Sequence, residues 1–153
     1  MTALFTLLPD AVGTIRADSK AEILEQLAAK FASVYDLDAA VVLTRIEERE
    51  RLGSTGFGRG VAIPHARITG ITRPVAAFLR LDAPVVFDAA DGMPVDLVFG
   101  LLSPEHAGAA HLHALAAISR MMRDDAMHAA LNLAPGTEAI YGLISNVIDR
   151  DAA

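Results

Sequence analysis

Cysteine and tryptophan are both absent from the 153 residues. Without cysteine there is no disulfide, no thiolate nucleophile and no sulfur-ligated metal. Aromatics make up only 5% of the chain, so its core must be built from aliphatic side chains. Basic residues are few: 13 Lys and Arg stand against 19 Asp and Glu, for a net charge of -6 with His neutral. That balance argues against a nucleic-acid partner, since neutralising phosphates takes clustered cations. No apolar run reaches the roughly 18 residues that suggest a membrane span, so the chain is not expected to be membrane-embedded. Met1 to Asp10 carries an apolar patch but neither a basic flank nor an A-x-A cleavage pattern. A cytoplasmic address is the expectation. H-E-x-x-H and G-x-S-x-G are missing as well, leaving neither a zincin site nor a hydrolase elbow in view.

What remains is an apolar, single-domain chain, read as one unit over residues 1–153. Hydrophobic residues reach 53% and charged residues 21%, enough to bury a sizeable core. Ser19-x-x-Glu22 is a capping box opening a helix with Ile23, Leu27, Phe31 and Val34 on one stripe. A second helix is predicted from about Asp38 to Leu52, ended by Gly53 as a left-handed terminator. A glycine-dense loop, Gly53 to Gly60, leads to a short strand, Val61-Ala62-Ile63, which Pro64 is expected to stop. Val75–Leu81 and Val95–Leu102 are unbroken apolar runs joined by a turn over Asp88–Pro94, as suits strands covered on both faces. Helical patterns follow over about Ala107–Met122, Asp124–Leu133 and Thr137–Ile148. The prediction is a three-layer α/β/α domain: a small mixed sheet flanked by helices.

Three polar residues sit where that pattern does not ask for them. His65 follows a buried-looking strand and a φ-locking proline, a place where open α/β sheets hold ligands; an ordinary loop histidine fits the position too. Arg49 shares a helix stripe with Val42 and Ile46, aimed toward the glycine loop; a snorkelling stem near a helix C-terminus explains it equally well. His111 shares a face with Leu115, Ile118 and Met122, whereas His113 lies about 200° away and points to solvent. A satisfied core histidine is the plain reading of His111. The loop resembles a phosphate cradle, yet Arg59-Gly60 stand where a Walker loop needs Lys and Ser/Thr, and Val61 stands where a dinucleotide fingerprint needs Gly. No nucleotide cofactor is implied. A metal site lacks ligands in suitable geometry, since His111 and His113 diverge on one helix.

Taken together, Glu48-Arg49-Glu50-Arg51-Leu52-Gly53-Ser54-Thr55-Gly56 and Gly60-Val61-Ala62-Ile63-Pro64-His65 resemble the active-site signature of the mannitol/fructose/nitrogen-regulatory IIA family of the bacterial phosphotransferase system. His111-Leu112-x-x-Leu115-Ala116 resembles its second motif. The start of the chain, with Leu7-Leu8-Pro9 and Ser19-Lys20, is similar to the short nitrogen-regulatory branch. Ala66-Arg67 and Arg59 depart from the usual family residues. The resemblance implies a phosphotransferase with His65 as phosphoacceptor. It implies Arg49 and His111 as partners of the phosphoryl group. The N–H groups of Ser54, Thr55 and Gly56 are expected to help bind that group, and Phe57 to offer a partner protein an apolar rim. The implied donor is a phosphohistidine carrier protein of the HPr or NPr kind. Downstream stand regulatory target proteins or, alternatively, a IIB protein of sugar transport. A binding module that kept the fold without the chemistry is a further alternative.

Overall fold

A computed structural model describes residues 3–152. A 3-10 turn at Pro9–Ala11 leads into β1 (Val12–Ile15), followed by α1 (Lys20–Tyr35) and α2 (Ala39–Leu52). Three short strands come next: β2 (Gly56–Gly58), β3 (Val61–Ala62) and β4 (His65–Ile68). The long pair β5 (Val75–Val85) and β6 (Val95–Pro104) precedes α3 (Ala109–Arg123), α4 (Asp125–Leu133) and α5 (Thr137–Ala152). The sheet runs in the order β1-β5-β6-β3-β2, with β4 also on β6. It is mixed: β5 meets β6 and β2 meets β3 antiparallel, while β1–β5, β3–β6 and β4–β6 are parallel.

The strand pair at the centre explains the layering. Ala76, Ala77, Phe78, Leu79, Leu97, Val98, Phe99, Leu101 and Leu102 have no exposed surface. Runs buried on both faces need a cover on each side, and the helices provide it. Side chains alternate along β6. At Gly100 a β-carbon would lie 2.8 Å from Phe31 and 2.9 Å from Leu27, so α1 covers that face at backbone distance. Leu101 and Ser103 point the other way, where the Ser103 hydroxyl meets His111 of α3. The two sides of one strand therefore define the two outer layers.

Local signals act largely as expected. Ser19 Oγ accepts from the Glu22 N–H at 3.1 Å, but Glu22 reaches back to Asp18 N–H at 2.8 Å, one residue before the cap. Asp38 caps α2 rather than belonging to it, its Oδ1 accepting from Ala40 and Val41. Gly53 ends α2 at φ 153°, ψ 144°, not in the left-handed helical region; its N–H returns to Glu50 C=O at 3.1 Å. That extended, positive-φ conformation is open to glycine alone.

β3 ends at Ala62, just short of Pro64, as expected, but the chain rejoins the sheet at His65. Val61 pairs with Leu97 and His65 with Leu101, so β3 and β4 lie on β6 in one continuous register. The missing proline N–H interrupts the ladder without shifting it. His65 consequently opens a strand at the sheet edge instead of a loop. β1 carried no distinct signal: four residues are too few to show a period.

Candidate functional site

The interruption at Pro64 has a chemical consequence. Ile63 lies outside the ladder of β3 and β4, and its carbonyl meets His65 Nδ1 at 2.7 Å. A carbonyl can only accept, so Nδ1 carries the hydrogen and Nε2 is left with its lone pair. Burial pulls the half-buried His65 below the ordinary imidazole range; the Ile63 hydrogen bond opposes this, and the Arg49 charge adds to it. The ring is neutral at pH 7 and presents one unprotonated nitrogen.

His111 stands beside it, ring centroids 5.6 Å apart and planes tilted by 50°. It is 6% exposed, and its Nδ1 lies 2.6 Å from the hydroxyl of fully buried Ser103. Burial, then the charges of His65 and Arg67, holds it down to about 4. His113 is exposed, as the helical faces require.

Arg49 reaches the site from the last turn of α2. Its guanidinium donates to Gly53 C=O at 2.9 Å, which steers it along the helix end. Arg45, Arg49, Leu52, His65, Arg67 and His111 line one open cleft of about 410 Å3, together with Glu48 and Glu105. His65, His111 and Arg49, far apart in sequence, thus share one cleft.

The glycine loop sits differently. Thr55 N–H is bonded to both oxygens of Glu50 at 3.2 Å, and Gly56 N–H to Ser54 Oγ at 3.1 Å. Ser54 Oγ in turn donates to Phe87 C=O at 3.0 Å. Two of the loop amides that resemble a phosphate cradle are therefore used to hold the loop. Phe57, on β2, lies apart from the cleft lining, with the Arg123 guanidinium 5.6 Å above its ring. Arg59 points away as well, its guanidinium on Arg123 C=O at 2.9 Å and Asp125 at 3.3 Å. Nearness along the chain did not become nearness in space for these two, because β2 continues the sheet outward.

Two residues with roles here were not singled out from the sequence. Glu50 lies on the buried stripe of α2, four residues after Ile46 and eight after Val42; its side chain is 5% exposed, paired with Lys20 at 2.9 Å and bonded to the Thr55 hydroxyl. Lys20 also lies 4.6 Å above the Phe87 ring. Ser103 stands next to last in β6, and only the packing of α3 reveals its partner. Among the described residues no three His, Asp or Glu gather as a metal would need, and no helix is long and apolar enough to cross a membrane.

This mixed sheet between helix layers is the fold of the phosphotransferase-system IIA proteins. The family model "Phosphoenolpyruvate-dependent sugar phosphotransferase system, EIIA 2" matches residues 9–147, and the chain belongs to that family. It is 46% identical over 130 residues to a nitrogen regulatory protein of Pseudomonas aeruginosa, covering 84% of each chain. It is 34% identical over 128 residues to the fructose-specific EIIA component of Haloferax volcanii, covering 84% of this chain and 82% of that one. The crystal structure of nitrogen regulatory protein IIA-Ntr from Neisseria meningitidis superposes with a TM-score of 0.84 at 34% identity, over 90% of this chain and 94% of that one.

Proposed function

We propose that this protein is a cytoplasmic phosphohistidine relay that takes a phosphoryl group from a phosphorylated histidine carrier protein onto His65. The observation that carries the reading is the Nδ1–Ile63 carbonyl bond, which leaves His65 Nε2 as the free nucleophilic nitrogen of a neutral ring. In the transfer, the Nε2 lone pair forms the new P–N bond while the donor's P–N bond breaks. The donor imidazole, its other ring nitrogen carrying a hydrogen, keeps that electron pair and leaves neutral. His65 retains its Nδ1 hydrogen, so no proton need move between the rings. As positive charge grows on His65, its bond to Ile63 C=O strengthens.

Arg49 places a guanidinium at the phosphoryl oxygens, where forked donors match oxyanion geometry. In the tautomer this role requires, Ser103 Oγ donates to His111 Nδ1 and His111 Nε2–H donates to the same oxygens. Such reactions need positioning and charge stabilisation more than covalent help. The nitrogen-regulatory relatives support a role in which the phosphorylation state controls partner proteins. Transfer onward to a separate sugar-specific IIB protein is the second reading, favoured by the likeness to the Haloferax fructose component.

The test is incubation with a phosphorylated histidine carrier followed by intact mass. Wild-type protein gains one acid-labile phosphoryl group, and folded His65→Ala gains none. Arg49→Ala and His111→Ala slow the gain about 10²–10³-fold, the usual cost of one oriented oxyanion donor. Arg51→Ala and His113→Ala stay near wild type. A phosphorylated His65→Ala protein contradicts the proposal.

A further inference from the structure

The cleft contains a guanidinium that the scheme above leaves unused. Arg67 stands two residues after His65 on β4, and residues at i and i+2 of a strand point to one face. The register puts His65 beside Leu101 and Arg67 beside Ser103 of β6. Ser103 is the residue that holds His111. Arg67 therefore rises from the sheet next to the His111 anchor, on the face that carries His65, and it lines the same cleft. Its charge is felt there, being one of the causes that keep His111 neutral.

The other cleft guanidiniums are already engaged. Arg45 is paired with Glu105 at 3.3 Å and Glu48 at 3.7 Å. Arg49 commits one nitrogen to Gly53 C=O. Among the described residues, Arg67 has no hydrogen-bond or ion-pair partner, and its side chain is exposed. A phosphoryl group brings about -1.5 to -2 charges, which Arg49 alone balances only in part.

We propose that Arg67 is the second guanidinium of the phosphoryl clamp, closing on the oxygens of the group on His65 from the β4 side while Arg49 holds them from α2. The proposal rests on His65 as acceptor. It also gives the Ala66-Arg67 departure a chemical meaning: a cation on this strand face brings the clamp to two positive charges.

The test compares transfer from a phosphorylated histidine carrier to wild type, Arg67→Ala, Arg67→Lys and Arg51→Ala, followed by intact mass over a range of carrier concentrations. The exposed position lets both Arg67 variants fold. Arg67→Ala lowers the limiting rate about 10- to 100-fold, less than an enclosed oxyanion donor because solvent screens the charge. The carrier concentration for half-maximal rate changes little. Arg67→Lys recovers part of the rate, since it keeps the charge without the fork. Arg51→Ala, which removes an exposed charge outside the cleft, keeps the wild-type rate. Two results overturn the proposal while leaving His65 as acceptor: an unchanged limiting rate in Arg67→Ala, or a loss confined to the half-maximal concentration, which would make Arg67 a docking residue. A wild-type protein that takes up no phosphoryl group overturns the acceptor reading and this one with it.

Discussion

At the scale of single residues, the site depends on which ring nitrogen holds a hydrogen. A solvent-exposed imidazole near its usual value of about 6.5 is half protonated at that pH. His65 is held lower, chiefly by burial. Only its neutral form can attack, so the transfer rate should fall off at a lower pH than an exposed imidazole allows, keeping more than half of its pH 7.5 value at pH 6.5. Single-turnover rates with a carrier of known titration test this; a rate already halved at pH 6.5 would mean that the ring titrates as if exposed. The residue scale was only partly legible. Arg49 and His111 stood out because a polar group on an apolar helical stripe breaks a period visible in one dimension. Ser103 did not, since a serine near the end of a strand looks solvated until a distant element packs on it; Glu50 sits on the stripe of Val42 and Ile46, but its charged neighbours hid that period.

At the scale of elements, the ends of α1 and α2 and the glycine loop are tied through Glu50. Lys20 at the start of α1 and Thr55 of the loop converge on its buried carboxylate. Glu50→Ala leaves the Thr55 N–H and hydroxyl without their acceptor, which should cost about 1–3 kcal/mol. Glu50→Gln keeps an acceptor oxygen and should cost less. Denaturant midpoints measure both; an Ala variant as stable as wild type would show that the loop is held by Ser54 and Phe87 alone. Elements were the most legible level. β5 and β6 announce themselves as apolar runs, and caps such as Ser19 and Asp38 are local chemistry that needs no tertiary context. β1, β2 and β4 did not announce themselves, because strands of three or four residues owe their existence to pairing with β5, β3 and β6. The stop at Pro64 was legible, but the resumption of pairing at His65 was not, for the same reason. A missing N–H weakens a ladder, but the parallel register on β6 carries the chain across the gap.

At the scale of the whole molecule, one mixed sheet brings α2, β4, β6 and α3 to a single cleft and leaves β2 outside it. The layering explains why Phe57 and Arg59, close in sequence to His65, serve the far edge, whereas Arg67, read at first only as a departure, lines the cleft. Arg49 and Arg67 line the cleft with His65, the proposed acceptor, and no described residue of α5 does, so the proposed relay would have its charge compensated locally. Phosphorylation should alter surface charge at the cleft with little change of fold, so that partner proteins sense the cleft directly. All of this rests on His65 Nε2 being the atom that receives the phosphoryl group. The most direct measurement is long-range proton–nitrogen correlation NMR of the phosphorylated protein labelled at histidine. The account predicts a P–N bond at Nε2 of His65, with the Nδ1 hydrogen retained toward Ile63 C=O. Phosphorylation at Nδ1 of His65, or on any other side chain, would contradict it.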